Sequence, residues 1–319
     1  MEGLPLPPRP LSMERLEEHG LPCLRWRAGA SVFDACPTRG ARLMRWRLEL
    51  PSGRRDVLHW PDQVDPAALA TVRGGNPILF PFMGRTYADG EKFAWRDPEG
   101  VRRPMPHHGF ARDGAFELLE AGPSHFVAEH RPAAADREAY PYAHAFRVRY
   151  DFHELRLRAT LELENRGSAR IPWCPGHHFY FALPWHRGLR RGDYRLAIPA
   201  RKAWRHAADG KLVPYAEMKG VTEASFDDPR LLDCLFTGLR SSEVRLGPRS
   251  GEEDIVIRVG EEPIPDEWAM VVTWTESPES PFFCVEPWMG APNSPTHGKG
   301  LRWVEPGATS QWVVEVALA

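Results

Sequence analysis

Between Phe146 and Leu163 the chain spells out two neighbouring β-strands. Phe146, Val148, Tyr150 and Phe152 alternate with Arg147, Arg149 and Asp151. Leu155, Leu157, Ala159, Leu161 and Leu163 then alternate with Arg156, Arg158, Thr160, Glu162 and Glu164. A period of two puts all the apolar side chains on one face. The change of phase at His153-Glu154 predicts a tight hairpin turn there, and Asn165-Arg166-Gly167 predicts the end of the second strand. A half-apolar hairpin needs a second layer to cover it.

The same pattern recurs along the chain. Met44, Trp46, Leu48 and Leu50 alternate with Arg45, Arg47 and Glu49, and β character is expected from Trp26 onward. Short strands are expected at 116–120 and 125–130 around a Gly-Pro turn, and at 194–198, 254–259, 270–275 and 311–317. Segment 53–71, with Pro61 and Pro66, reads as a long connection, and 184–220 as a basic, loop-rich region. Helical periodicity is weak, and no repeat or low-complexity linker divides the chain. The expectation is an all-β fold of two packed sheets: one domain over 21–319, after a proline-rich lead over 1–20 with a helical turn near Met13–Glu18.

Composition narrows the function classes. A net charge of -2 across 319 residues gives no global field for nucleic acid or an acidic membrane. No apolar run approaches the roughly 18 residues of a membrane span, and the N-terminus has no signal-peptide core. The five cysteines, Cys23, Cys36, Cys174, Cys234 and Cys284, are odd in number and form no CxxC. Reduced thiols in the cytoplasm fit this usage.

The stretch from Arg73 to Arg112 carries the chemistry. RGGNPILFPFMGR is a short apolar strand (Ile78, Leu79, Phe80, Phe82) between glycines and arginines, and PMPHHGFAR follows. Two later segments answer it, PGHHFYF (175–181) and CVEPWMG (284–290). His107-His108 and His177-His178 are adjacent pairs. If each lies on a strand, only one member can face a given site. Glu286 sits in an apolar strand, where a carboxylate is costly unless partnered, and where its pKa would be raised. Arg73, Arg85 and Arg112 suit multidentate contacts to hydroxyls or phosphate. Trp95, Phe179 and Trp288 are candidate sugar platforms, although each alone is more often core. There is no HExxH for zinc and no GxSxG for a serine hydrolase.

These segments resemble the aldose 1-epimerase (galactose mutarotase-like) family. GGNPILFPFMGR, HGFAR (108–112), the HxYF of GHHFYF (178–181) and VEPWMG (285–290) occur in the family's order over about 220 residues. The resemblance implies a β-supersandwich and an isomerase that interconverts the α and β anomers of a sugar. It implies Glu286 as the base at the anomeric hydroxyl, His178 as the acid at the ring oxygen, and His108 orienting the sugar. It further places Arg73, Asn76, Arg85, Arg112, Tyr180 and Trp288 at the substrate, and calls for no metal or organic cofactor. The counterpart of a sugar-holding aspartate is left among Asp227, Asp228 and Asp233. LFPFMGR and HGFARDGAF are closer to relatives acting on free aldoses. Arg73 and Arg112 are also what relatives acting on hexose 6-phosphates use for phosphate. A non-catalytic carbohydrate-binding protein on the same fold is the alternative of another class. The expected partner is a small sugar, not nucleic acid or membrane, bound by a monomer or homodimer.

Overall fold

A computed structural model describes residues 11–319. Two antiparallel sheets dominate it, one of thirteen strands and one of nine. The hairpin legible in the sequence forms the middle of the smaller sheet as His144–His153 and Arg156–Asn165, flanked by His125–His130 and Thr309–Leu318. Its turn falls one residue later than expected, at Glu154-Leu155, since His153 pairs with Arg156 and Leu155 takes a φ of 59°. The larger sheet runs from Ser12–Glu18 through Leu21–Ala28, Ser31–Cys36, Arg42–Leu50 and Gly53–Leu58. It continues through Phe179–Ala182, Phe282–Trp288, Met270–Trp274, Cys234–Thr237 and Lys202–His206 to Leu212–Pro214.

The core lies between the sheets. Trp26 and Phe33 of the larger sheet stack on Phe126 and Phe152 of the smaller, with ring centroids 4.7 to 5.4 Å apart. All four rings are fully buried. Burial of apolar area of this kind contributes about 25 cal/mol per Å² and is what holds the layers together.

Three expectations are corrected. The predicted helical turn at Met13–Glu18 is a strand paired with Leu21–Ala28. The two residues between them, His19 and Gly20, have φ of 52° and 75°. This double positive φ is the two-residue hairpin geometry that outweighs a weak local helical pattern. β structure therefore begins at Ser12 rather than Trp26; residues 1–10 of the predicted lead lie outside the described residues. Segment 53–71 is not one long connection: Gly53–Leu58 is a strand and Pro66–Thr71 a 3-10 segment capped by the Asp65 side chain. The basic region at 184–220 holds strands Lys202–His206 and Leu212–Pro214 besides the expected one at Tyr194–Ala197. Among the described residues no helix is long and apolar enough to cross a membrane, and all five cysteines are free and buried.

Candidate active site

The strand Phe282–Trp288 is buried along its whole length, with a neighbour on each side. Its even-numbered residues Glu286 and Trp288 face a cavity of about 530 Å³. The register Phe179↔Val285 sets His178 level with Glu286 across the pair, and His178 Nε2 lies 3.3 Å from Glu286 Oε1. Gly176 makes room for this floor, since a Cβ there would meet Trp288 Cδ1 at 2.7 Å. Tyr180, two residues on, stacks on the His178 ring at 4.6 Å.

His108 enters from the other side, in a turn with φ of 66°. Gly109 follows with φ of 74°, and a Cβ there would lie 1.8 Å from Phe80 O, so only glycine lets the turn close. The Gly84 N–H donates to His108 Nδ1 at 3.1 Å, and the His108 N–H donates to Gly84 O at 2.8 Å. With Nδ1 accepting, the neutral ring carries its proton on Nε2 and offers a donor. The His108 and His178 rings meet edge to face at 5.5 Å.

Electrostatics divide the floor from the walls. Burial, with Asp233 adding to it, pushes the Glu286 carboxyl well above its usual value. Burial and the nearby cations, Arg112 first, push the His178 imidazole well below its own. Both shifts favour the neutral forms, with one proton on the carboxyl, and moving that proton to the imidazole creates the carboxylate and imidazolium. Arg85 and Arg112 line the cavity, and neither has a carboxylate within ion-pair distance among the described residues. Arg73 also lines it, over the Trp274 ring at 4.9 Å and 3.6 Å from Glu276.

The structure thus brings eight of the nine expected site residues to one cavity: Glu286, His178 and His108, with Arg73, Arg85, Arg112, Tyr180 and Trp288. Asn76 is the correction. It is fully buried and lies behind the site. Its Oδ1 accepts the His178 backbone N–H at 2.9 Å, and its Nδ2 donates to Tyr150 Oη at 2.7 Å and to His177 Nδ1 at 2.9 Å. The resemblance implies a place at the substrate for it, whereas three buried partners account for its polar atoms. The one-face rule holds for His177, which packs on Phe179 and Trp312 away from the cavity. It fails for His107, which lines the cavity beside His108, because that pair sits in a turn and not on a strand. Trp95 and Phe179 are core residues; the Trp95 indole donates to Ala139 O.

Of the three aspartates, Asp233 lines the cavity. Asp228 caps a 3-10 turn and pairs with Arg230. Sequence reasoning missed Arg205, His206 and Trp274, which also line it. Arg205 and His206 sit on a strand hidden in the basic region, while Trp274 lay in an expected strand whose face was unassigned.

The cavity wall at 66–74 is held from below by Arg42. This fully buried guanidinium donates to the carbonyls of Leu69, Val72 and Gly74 at 2.6 to 2.7 Å. Arg42→Met removes all three bonds and is expected to destabilise the fold by about 2–4 kcal/mol, since each abandoned buried acceptor costs about 1–3 kcal/mol less the relief of desolvating the charge. Urea unfolding would check this; an unchanged midpoint would mean that the segment supports itself.

His178, Cys284 and Glu286 place one donor atom each within 4.8 Å of one another. They fit a resident cation poorly. The Cys284 thiol is pushed well above its usual pKa by burial. A metal would have to displace protons from both the thiol and the carboxyl, against the field of Arg73 and Arg112.

The two layered antiparallel sheets match the fold of galactose mutarotase-like proteins. A galactose mutarotase-like protein from Clostridium acetobutylicum superposes with a TM-score of 0.79 at 16% identity, over 97% of this chain and 98% of its own. The Slr1438 protein from Synechocystis sp. PCC 6803 does so at 0.74 and 23%, over 100% and 99%. Residues 22–237 match the aldose 1-epimerase family, and the chain belongs to that family. The chromosomal LacX protein of Lactococcus lactis subsp. lactis is 25% identical over 261 residues, 78% of this chain and 83% of that protein.

Proposed function

We propose that the protein is an aldose 1-epimerase that interconverts the α and β anomers of a hexose by general acid–base ring opening and closure. The observation that carries this is the His178–Glu286 pair, 3.3 Å apart and buried at the cavity floor. The anomeric hydroxyl and the ring oxygen are bonded to one carbon, so the groups that serve them must themselves be neighbours. Glu286 as carboxylate takes the hydroxyl proton while His178 as imidazolium protonates the ring oxygen. The ring opens, the C1–C2 bond rotates, and the two transfers reverse on the other face. His108 Nε2–H donates to a sugar oxygen and holds the ring through the opening. The aromatic walls Tyr180 and Trp288 exclude water from the reacting centre.

A specific observation favours a second reading, a hexose 6-phosphate as substrate. Two guanidiniums with no carboxylate at ion-pair distance among the described residues, Arg85 and Arg112, suit an anion better than a neutral sugar. Anomer exchange measured by NMR saturation transfer on glucose, galactose and their 6-phosphates separates the readings. Turnover of free sugars supports the first, and turnover confined to the phosphates moves the activity to the second. Binding without exchange on any of them would leave a carbohydrate-binding protein. Arg112→Ala is expected to raise KM for a 6-phosphate by about 10–100-fold, the loss of one charge-assisted hydrogen bond, with little effect on free sugars. Equal losses on both would remove Arg112 from phosphate recognition.

The pKa directions set the pH dependence. A second proton on the pair must go to an imidazole whose pKa is lowered, so the acid limb lies well below the ordinary 6.5 of histidine. The single proton leaves a carboxyl whose pKa is raised above 4.5, so the alkaline limb is displaced upward. The kcat/KM profile is therefore expected to have its acid limb below 6.5 and its alkaline limb above 4.5, both belonging to the coupled pair. An acid limb centred at 6.5 would mean that an ordinary, solvated histidine does the work.

A further inference from the structure

A second cavity, of about 350 Å³, lies on the same sheet as the active site and beyond its Tyr180 wall. Its volume falls in the range of about 300–1,000 Å³ typical of small-ligand sites. His59 forms part of the partition: its ring stacks on Phe282 at 5.3 Å, and Phe282 in turn packs on Tyr180 at 4.9 Å. From this lining we infer that the cavity is a binding site for a second, neutral sugar ring, distinct from the one over Glu286 and independent of the reaction assigned there.

Charge is the first argument. Each of the three guanidiniums that line the cavity has its own carboxylate. Arg45 pairs with Glu18, Arg54 with Asp56 at 2.9 Å, and Arg55 with Glu253 at 2.9 Å. The lining is therefore balanced, the opposite of the active-site cavity with its unmatched Arg85 and Arg112. A balanced site gives an anion no advantage. The Arg54–Asp56 pair stands at the rim, each side chain about half exposed. It sets donors beside an acceptor, the pattern that vicinal hydroxyls of a pyranose satisfy with both their protons and their lone pairs.

Aromatic surface is the second argument. Trp60 and Trp185 line the cavity at 7% and 6% exposure, and neither indole N–H has a hydrogen-bond partner among the described residues. Buried indole N–H groups are normally satisfied. Both donors lie within the wall and are closed to solvent, so an acceptor-rich occupant meets them only when the indoles turn toward the cavity. The C–H faces of a sugar ring also suit the apolar bodies of the indoles.

The test is a titration of the 15N-labelled full chain with D-glucose, following the indole N–H signals of Trp60, Trp185 and Trp288, with Trp60→Phe and Trp185→Phe giving the assignments. Trp60 and Trp185 are expected to shift saturably and with a Kd separate from that of Trp288. Arg54→Ala is expected to weaken that Kd about tenfold, the loss of charged hydrogen bonds, while anomer exchange and the Trp288 response stay unchanged. The site is overturned if Trp60 and Trp185 stay still while Trp288 shifts, or if Arg54→Ala leaves their Kd unaltered. If inorganic phosphate shifts the two indoles and glucose does not, the site takes an anion and the neutral-sugar assignment fails. Exchange is read in separate samples, so failure of the proposed reaction would show as no turnover with the two indoles still responding.

Discussion

Glu286→Gln is expected to keep the fold and sugar binding while lowering anomer exchange by about 10²–10⁴-fold, the usual contribution of a general base. Glutamine preserves the volume and one acceptor but cannot take the proton of the anomeric hydroxyl. The same variant makes a stability prediction. Because the carboxyl's pKa is raised by burial in the folded state, stability is full below the unfolded value near 4.5. It is lost as pH rises towards the folded value. At neutral pH the wild-type protein therefore carries a cost that glutamine does not. Saturation-transfer NMR and thermal melts at neutral pH would check both parts. Near-normal exchange would remove Glu286 as the base, and a lowered melting temperature would show that the carboxyl supports the fold.

His178→Asn is expected to reduce exchange about 10²-fold or more, whereas His177→Asn should leave exchange nearly intact and act on stability. The two histidines are chain neighbours with opposite surroundings. His178 faces the cavity beside Glu286. His177 is fully buried, with its pKa lowered to about 3 and its Nδ1 bonded to Asn76. Replacing it leaves Asn76 a donor short of a partner and is expected to cost about 1–3 kcal/mol. Paired kinetics and urea unfolding would settle which neighbour does which. A catalytic loss in His177→Asn, without loss of stability, would reverse the assignment.

Much of this protein is legible in its sequence because period-two alternation is a local signal. The central hairpin at 144–165 and the strands near 44–50, 255–259, 270–274 and 309–318 announce themselves residue by residue. Elements decided by backbone geometry or by distant partners do not. The hairpin that starts the larger sheet depends on positive φ at His19 and Gly20, and His-Gly is not among the strong turn pairs. The strand carrying Arg205 and His206 is short and mostly polar. At the site, residue types pointed to Glu286 and to the two histidine pairs, and the resemblance singled out His178 and His108 from them, but the facing of a residue is a tertiary property. Asn76 shares a motif with the arginines yet spends its side chain on Tyr150, His177 and a backbone amide. His107 reaches the cavity because a turn, not a strand, carries it.

Asn76 also ties the chemistry to the architecture. Through one side chain it joins Tyr150 on the smaller sheet to the backbone of His178 at the cavity floor. Any loosening of the gap between the layers is transmitted by a single amide to the residue proposed to protonate the ring oxygen. The active site is in this sense a gauge of sandwich thickness. Heating or mild denaturant should blunt turnover before the sheets come apart, so activity will report the integrity of the core earlier than spectroscopy does.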